Sequence, residues 1–211
     1  MENFERLAVA LLLVALIVMG FNEFQISRLK TADKPTGKAV AESKPVPAKN
    51  TNANFGLEVI PKGIPKIYGK ELGVSYDDVS SLNQQKADST ISRLGTLDQQ
   101  ISLTGKELER YIAIAGQISC EYCCGAESII SSDGKAACGC NHSFAMRGIA
   151  KYLIKNHPNE YTNDQILEEL GKWKTLFFPE QIAKKAQILK AKGIELNYIN
   201  LASNKYRNIG S

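Results

Sequence analysis

The chain has 211 residues, 44% of them apolar and 23% charged, with a formal net charge of +4. These values fit one domain with extras or two small ones, and they exclude a wholly disordered chain, a collagen and a polytopic membrane protein. The charge is too small and too spread to expect nucleic acid as a partner. There are five cysteines, and all of them fall between Cys120 and Cys140.

Residues 7–21 read LAVALLLVALIVMGF, without charge or proline. Fifteen residues at 1.5 Å rise reach ~22 Å, against a hydrocarbon core of ~30 Å. Phe4 and the uncharged flanks lengthen the span, so residues 1–24 are expected to be a single-pass transmembrane anchor. A cleaved signal peptide is the rival reading, but Glu2 and Glu5 outnumber Arg6, and bulky Phe21 follows Gly20 where a small-residue cleavage site would be needed. The lysines and arginines after the span outnumber the acids, which by the positive-inside rule favours a cytosolic body. The six-residue tail before the span is instead the common design for export, and an extracytoplasmic body is the expectation carried forward.

Residues 25–54 are rich in Ala, Lys, Pro, Asn and Thr, with Val40 and Val46 among few large aliphatics. Such a stretch cannot bury enough apolar area to offset its ordering entropy and is expected to be a disordered tether.

The rest is expected to be mainly α-helical, with an extended lead-in and first helix over 55–103 and a helical Cys/His domain over 104–211. Prolines and glycines mark 55–78 as turn-rich, packed by Ile60, Ile64, Ile67 and Tyr68. A helix over 79–94 carries Leu82, Ile91 and Leu94, and Gly95 would end it. Thr104 and Glu107 fit a capping box before a stripe of Leu108, Tyr111, Ile112 and Ala115. A helix over 142–156 carries Met146, Ile149, Ala150, Leu153 and Ile154, with Asn141 as its N-cap and Pro158 past its end. Thr162 and Gln165 form a second capping-box candidate before Ile166, Leu167, Leu170 and Trp173. Pro179 fits the first turn of a last long helix bearing Ile182, Ala186 and Leu189, with Gly193 as C-cap. Residues 194–211 read as a strand or short helix followed by a frayed tail. Trp173, Phe177 and Phe178 are expected in the core, Lys184, Lys185, Lys190 and Lys192 on a solvated face, and His157 on the surface.

The cysteine segment carries the chemistry. Cys120, Cys123 and Cys124 precede Ile129 and Ile130; Asp133-Gly134 follows, then Cys138, Cys140 and His142. Asp-Gly between short strand-like runs predicts a β-hairpin, which would bring its two ends together. Cys-x2-Cys and Cys-x-Cys are bites from which thiolates grip one ion, and a helix starting at 141–142 would favour the thiolate form. Cys120, Cys123, Cys138 and Cys140 are the expected core ligands, with Cys124 or His142 as substitutes. Zinc is the first candidate; copper or an iron–sulfur cluster follows, since the ligands are soft and exceed four. Disulfides remain an alternative, since an exported domain could pair four of the five cysteines, as a thiol–disulfide redox protein or as a non-enzymatic partner-binding module stapled by disulfides. Met146 shares a helical face with His142 and is expected to be core. No nucleophile elbow, metalloprotease motif, P-loop or dinucleotide fingerprint occurs, so a catalytic role is not the expectation. Cys120 and Cys123 have redox spacing, but they follow a helix instead of opening one.

The stretch ISCEYCCG followed by ACGCNHSFAMRGIAKYLIKNH and the later ILEELGKWK resembles a group of membrane-anchored archaeal and bacterial proteins without an assigned reaction. Through Tyr122, Cys123, Cys138-Gly139-Cys140 and His142 it also resembles the PCYCGC-motif family of exported proteins, whose cysteines are contiguous where these are split. That resemblance implies an extracytoplasmic, metal-associated role. Locally, Cys138, His142 and Met146 are similar to the end of the copper motif of cytochrome oxidase subunit II, with one extra residue before Met146 and no upstream His.

Overall fold

In the computed structural model, residues 59–209 are described. The expected anchor and the tether lie outside them, and no helix among the described residues is long and apolar enough to cross a membrane. The described elements are α1 (Tyr68–Leu72), a 3-10 turn (Tyr76–Asp78), α2 (Gln84–Gln100), α3 (Gly105–Ala115), α4 (Asn141–Asn156), α5 (Asn163–Phe177), α6 (Pro179–Ala191), α7 (Tyr198–Ala202) and a second 3-10 turn (Asn204–Tyr206). Among the described residues β-structure is limited to isolated bridges, one of them Ile130–Ala136 at the expected hairpin. The mainly helical expectation holds.

Helix α4 is the central element. Ala145, Met146, Ile149, Ala150, Leu153 and Ile154 are all buried, as their spacing requires. It packs on α2, α3 and α5. The closest approach is at Gly148, where an added Cβ would stand 2.0 Å from the Leu94 carbonyl oxygen. Gly95 makes the matching approach from α2, with Phe144 Cβ 3.3 Å from the place of a Cβ. This explains a correction: Gly95 does not end the helix but lies inside α2, which starts at the Asn83 cap and runs to Gln100. Leu82, expected on its apolar face, precedes the helix and is 96% exposed.

The lead-in contains α1 and is pinned to α5 by a buried polar network. The Tyr68 hydroxyl donates to Glu169 Oε2 at 2.6 Å, the Tyr76 hydroxyl donates to the same oxygen, and Trp173 Nε1 donates to Tyr68 at 2.8 Å. Trp173 is fully buried and Phe178 nearly so, as expected, while Ile64 is exposed.

The helix caps differ in detail from expectation. Thr162 and Gln165 form the full capping box of α5. Thr104 is the N-cap of α3 but its side chain makes no capping bond, and Glu107 pairs with Lys155 of α4 at 2.8 Å instead of reaching back to the cap. Pro179 opens α6, and Gly193 takes φ +68° just past its end, where the left-handed conformation favours glycine. The tail is not frayed within the described residues. Ser203 bridges Ile118, the Asn204 N–H donates to the Gln117 carbonyl at 2.9 Å, and Arg207 reaches the Gly125 carbonyl at 3.1 Å and Glu127. The C-terminal segment therefore braces the cysteine segment.

Candidate metal centre

The cysteine segment is two tight loops laid against α4. In the first, the Cys120 N–H donates to the Ala126 carbonyl at 3.0 Å, and Gly125, at φ +69°, turns the chain back. Cys120, Cys123 and Cys124 all sit on this loop. Ile129 and Ile130 then anchor the chain in the core, and the Ile129 N–H donates to the Ile118 carbonyl at 2.9 Å. The second loop turns at Asp133-Gly134. Asp133 Oδ1 accepts from Ser131 Oγ at 2.6 Å and from the Lys135 N–H at 3.1 Å, the side-chain mimicry that makes Asp a turn residue. The Ala137 N–H then donates to the Ile129 carbonyl at 3.2 Å, which returns Cys138 and Cys140 to the first loop.

Cys140, not Asn141, is the N-cap of α4, and its Sγ accepts the Ser143 N–H at 3.3 Å. A sulfur replaces the expected amide oxygen because the chain enters the helix one residue earlier.

Four sulfurs converge: Cys120, Cys124, Cys138 and Cys140 all lie within 4.8 Å of one another. Cys120 Sγ is 3.4 Å from Cys140 Sγ and 3.5 Å from Cys138 Sγ, and Cys124 and Cys138 are joined as a disulfide. Thiolates bound to one zinc at ~2.3 Å stand ~3.8 Å apart, so Cys120 is already near that spacing from Cys138 and Cys140, while Cys124 and Cys138 must separate for the four to surround an ion. The expected core set contained Cys123 in place of Cys124. Both Cys123 and Cys124 are exposed, but the loop closed at Ala126 sets Cys124 beside the other sulfurs, with Sγ 3.8 Å from the Cys120 carbonyl oxygen. Cys123 instead falls in a second group with Cys140 and His142, again within 4.8 Å. Met146 is buried in the core, as expected.

The sulfurs differ in their electrostatics. The hydrogen bond from Cys140 holds the Cys120 thiol down at about 7 against the opposing effect of burial, with further help from Lys174. The same bond, then burial, pushes Cys140 up to about 11, although His142 and the Ser143 N–H pull the other way. Burial and the neighbouring Cys140 raise Cys123.

Charged residues surround the loops from within. Arg147 is buried on α4, and its Nη1 donates to the carbonyls of Cys138 (2.9 Å) and Ile129 (3.2 Å) and to Ser143 Oγ (2.8 Å). Its Nε pairs with Asp98 on α2 at 2.8 Å. Glu121 Oε1 is 3.0 Å from both Lys174 of α5 and Lys185 of α6, with all three side chains shut off from solvent. This corrects the expectation for Lys185, which lies in the core and not on a solvated face. Lys174 also donates to Ser119 Oγ and the Ala202 carbonyl. Burial brings Lys174 down to about 8, while in Glu121 the two ammonium groups outweigh burial and the net shift is downward.

Sequence periodicity held a signal for these residues. Lys185 stands with Ile182, Ala186 and Leu189 at i, i+3, i+4, i+7, and Arg147 stands three before Ala150 and seven before Ile154. A basic residue on an apolar stripe is a buried charge in want of a partner. His157 is also corrected: it is 6% exposed and lies between Glu71 (2.9 Å) and Glu160 (3.0 Å).

Fold and site together define a small helical domain with a Cys/His cluster that could hold a metal ion. Comparison of the chain with protein-family models, curated proteins and solved structures finds no match.

Proposed function

We propose that this chain is a membrane-anchored metal-binding protein that holds a thiophilic ion through Cys120, Cys124, Cys138 and Cys140. The observation that carries the reading is the convergence of those four sulfurs from two loops and a helix cap. Zinc is the first candidate, because four thiolates are its structural ligand set; copper(I) and an iron–sulfur cluster use the same donors. The buried charges suit the assignment. Two ammonium groups against one carboxylate leave a net positive charge beside a site that would carry −2 as a zinc tetrathiolate. Anchoring through residues 7–21 and an extracytoplasmic body complete the proposal, resting on the apolar span and on the resemblance to the PCYCGC-motif proteins.

Metal binding requires the Cys124–Cys138 bond to be open. Two electrons and a dithiol reductant, itself becoming a disulfide, convert that bond to the two thiolates the ion needs. The disulfide and the tetrathiolate are two states of the same four sulfurs. Elemental analysis of protein reduced and loaded under anaerobic conditions tests the reading. Bound metal that is lost on Cys138→Ser supports it, and a reduced, folded protein that takes up no zinc, copper or iron refutes it.

A second reading rests on the 3.5 Å separation of Cys120 Sγ from Cys138 Sγ. The Cys120 thiolate attacks Cys138, a Cys120–Cys138 bond forms, and Cys124 leaves as the thiolate. Such a protein would pass disulfides to or from a substrate dithiol. Differential alkylation with mass spectrometry separates the readings: five alkylatable thiols in the native, metal-free protein would exclude exchange.

A further inference from the structure

The two groups of ligands are not separate, because Cys140 belongs to both. We propose that the cluster is a two-ion site in which the Cys140 thiolate bridges an inner ion held by Cys120, Cys124 and Cys138 and an outer ion held by Cys123 and His142. The proposal rests on the metal-binding reading above and adds a second, coordinatively open position.

Three features support the outer position. Cys123, Cys140 and a ring nitrogen of His142 lie within 4.8 Å of one another, a separation that small shifts would bring to the ligand spacing of a bound ion. The His142 ring is held between Phe177 and Phe178, with ring centres 4.9 Å apart in both cases, so it is oriented before any ion arrives. Its Nδ1 is buried and has no hydrogen-bond partner among the described residues, so the ring holds an unsatisfied nitrogen.

The two positions differ in access. Two inner sulfurs, Cys120 and Cys138, are buried, Cys140 is half-buried and Cys124 is exposed, whereas the outer group has no buried member, Cys123 being exposed and His142 half-buried. Among the described residues the outer group has three members, so its fourth place falls to an exogenous ligand such as water or a donor thiolate. A position with an open ligand place is built for exchange, and a closed tetrathiolate for retention. The inner ion is therefore the structural one and the outer ion the exchangeable cargo.

Charge counting favours a divalent pair. Five thiolates and two divalent ions sum to −1, against the +1 of Glu121, Lys174 and Lys185 beside them. Two copper(I) ions would leave −3.

The test is a metal titration of the full chain in detergent, reduced and desalted under anaerobic conditions. Zinc is competed against a chromophoric chelator, with copper(I) as a parallel arm. The expected result is two zinc ions per chain, the second at least tenfold weaker. Cys123→Ser and His142→Gln should each bind one ion at wild-type affinity, which also shows that they fold. In the two-cobalt(II) protein the thiolate bridge should couple the spins and lower the magnetic moment per ion, and Cys123→Ser should abolish that coupling. One ion in the wild type, unchanged by Cys123→Ser, would overturn the two-ion site and leave the tetrathiolate standing. A second ion that neither variant removes, or two uncoupled ions, would also overturn it. No ion at all would refute the metal reading itself.

Discussion

Glu121 and Lys174 meet at 3.0 Å with both side chains closed off from solvent. The residues are 53 positions apart, and their contact fastens the first cysteine loop to α5. Lys185 joins from α6, and the Asn208 N–H donates to the other carboxylate oxygen at 2.8 Å. Glu121 thus ties together the cysteine loop, two helices and the C-terminal segment.

Glu121→Gln should therefore be costly. It removes the only negative charge in the triad and leaves two buried ammonium groups facing each other. Breaking a buried pair in this way costs about 3–5 kcal/mol. Urea denaturation of the reduced protein should show that loss, and a change under 1 kcal/mol would mean the carboxylate is not needed to balance the lysines.

Arg147→Lys keeps the charge but not the fork. An ammonium group cannot reach Asp98 and the Cys138 and Ile129 carbonyls together, as the guanidinium does. The return of Cys138 to the first loop should loosen, and metal affinity should fall by about 10–100-fold, the usual effect of removing a group that orients ligands. Chelator competition measures this, and unchanged affinity would show that the loop holds its shape without Arg147.

Gly148→Ala tests the helix crossing. In an isolated helix the change would help by about 1 kcal/mol. Here the new Cβ would stand 2.0 Å from the Leu94 carbonyl, so α2 and α4 must part. Overpacking of this kind costs about 1–3 kcal/mol or more, and the net effect should be a lower melting temperature. A rise in melting temperature would show that the crossing is loose.

His157 makes stability depend on pH. Burial disfavours its charged form, but the Glu160 and Glu71 carboxylates outweigh that, and its folded pKa lies above the ordinary 6.5. The raised value means that the contribution is complete below pH 6.5 and is lost as pH rises through the folded pKa. The stability difference between the wild type and His157→Gln should thus be larger at pH 5.5 than at pH 8.5. Equal differences at both would contradict the ion pairing.

The helical body was readable from apolar spacing, because a helix in a small domain must bury one stripe and the stripe repeats every turn. The Thr162 capping box and the Asp133-Gly134 turn were readable for the same local reason: each is complete within four or five residues. The sequence also placed every cysteine in one short segment. It could not rank Cys123 against Cys124, since adjacent residues differ only in the direction each faces, and the bridge from Cys120 to Ala126 sets that direction. Nor could it pair Glu121 with Lys174 and Lys185, or seat His157 between Glu71 and Glu160. Those contacts join positions far apart along the chain, and burial there is set by which helices pack together. Residue types and local periodicity thus determined the elements and the ligand inventory. The tertiary approach of α4, α5 and α6 to the two loops decided which sulfurs converge and which charges lie buried beside them, because desolvation and Coulomb interaction depend on distance in space and not on separation in sequence.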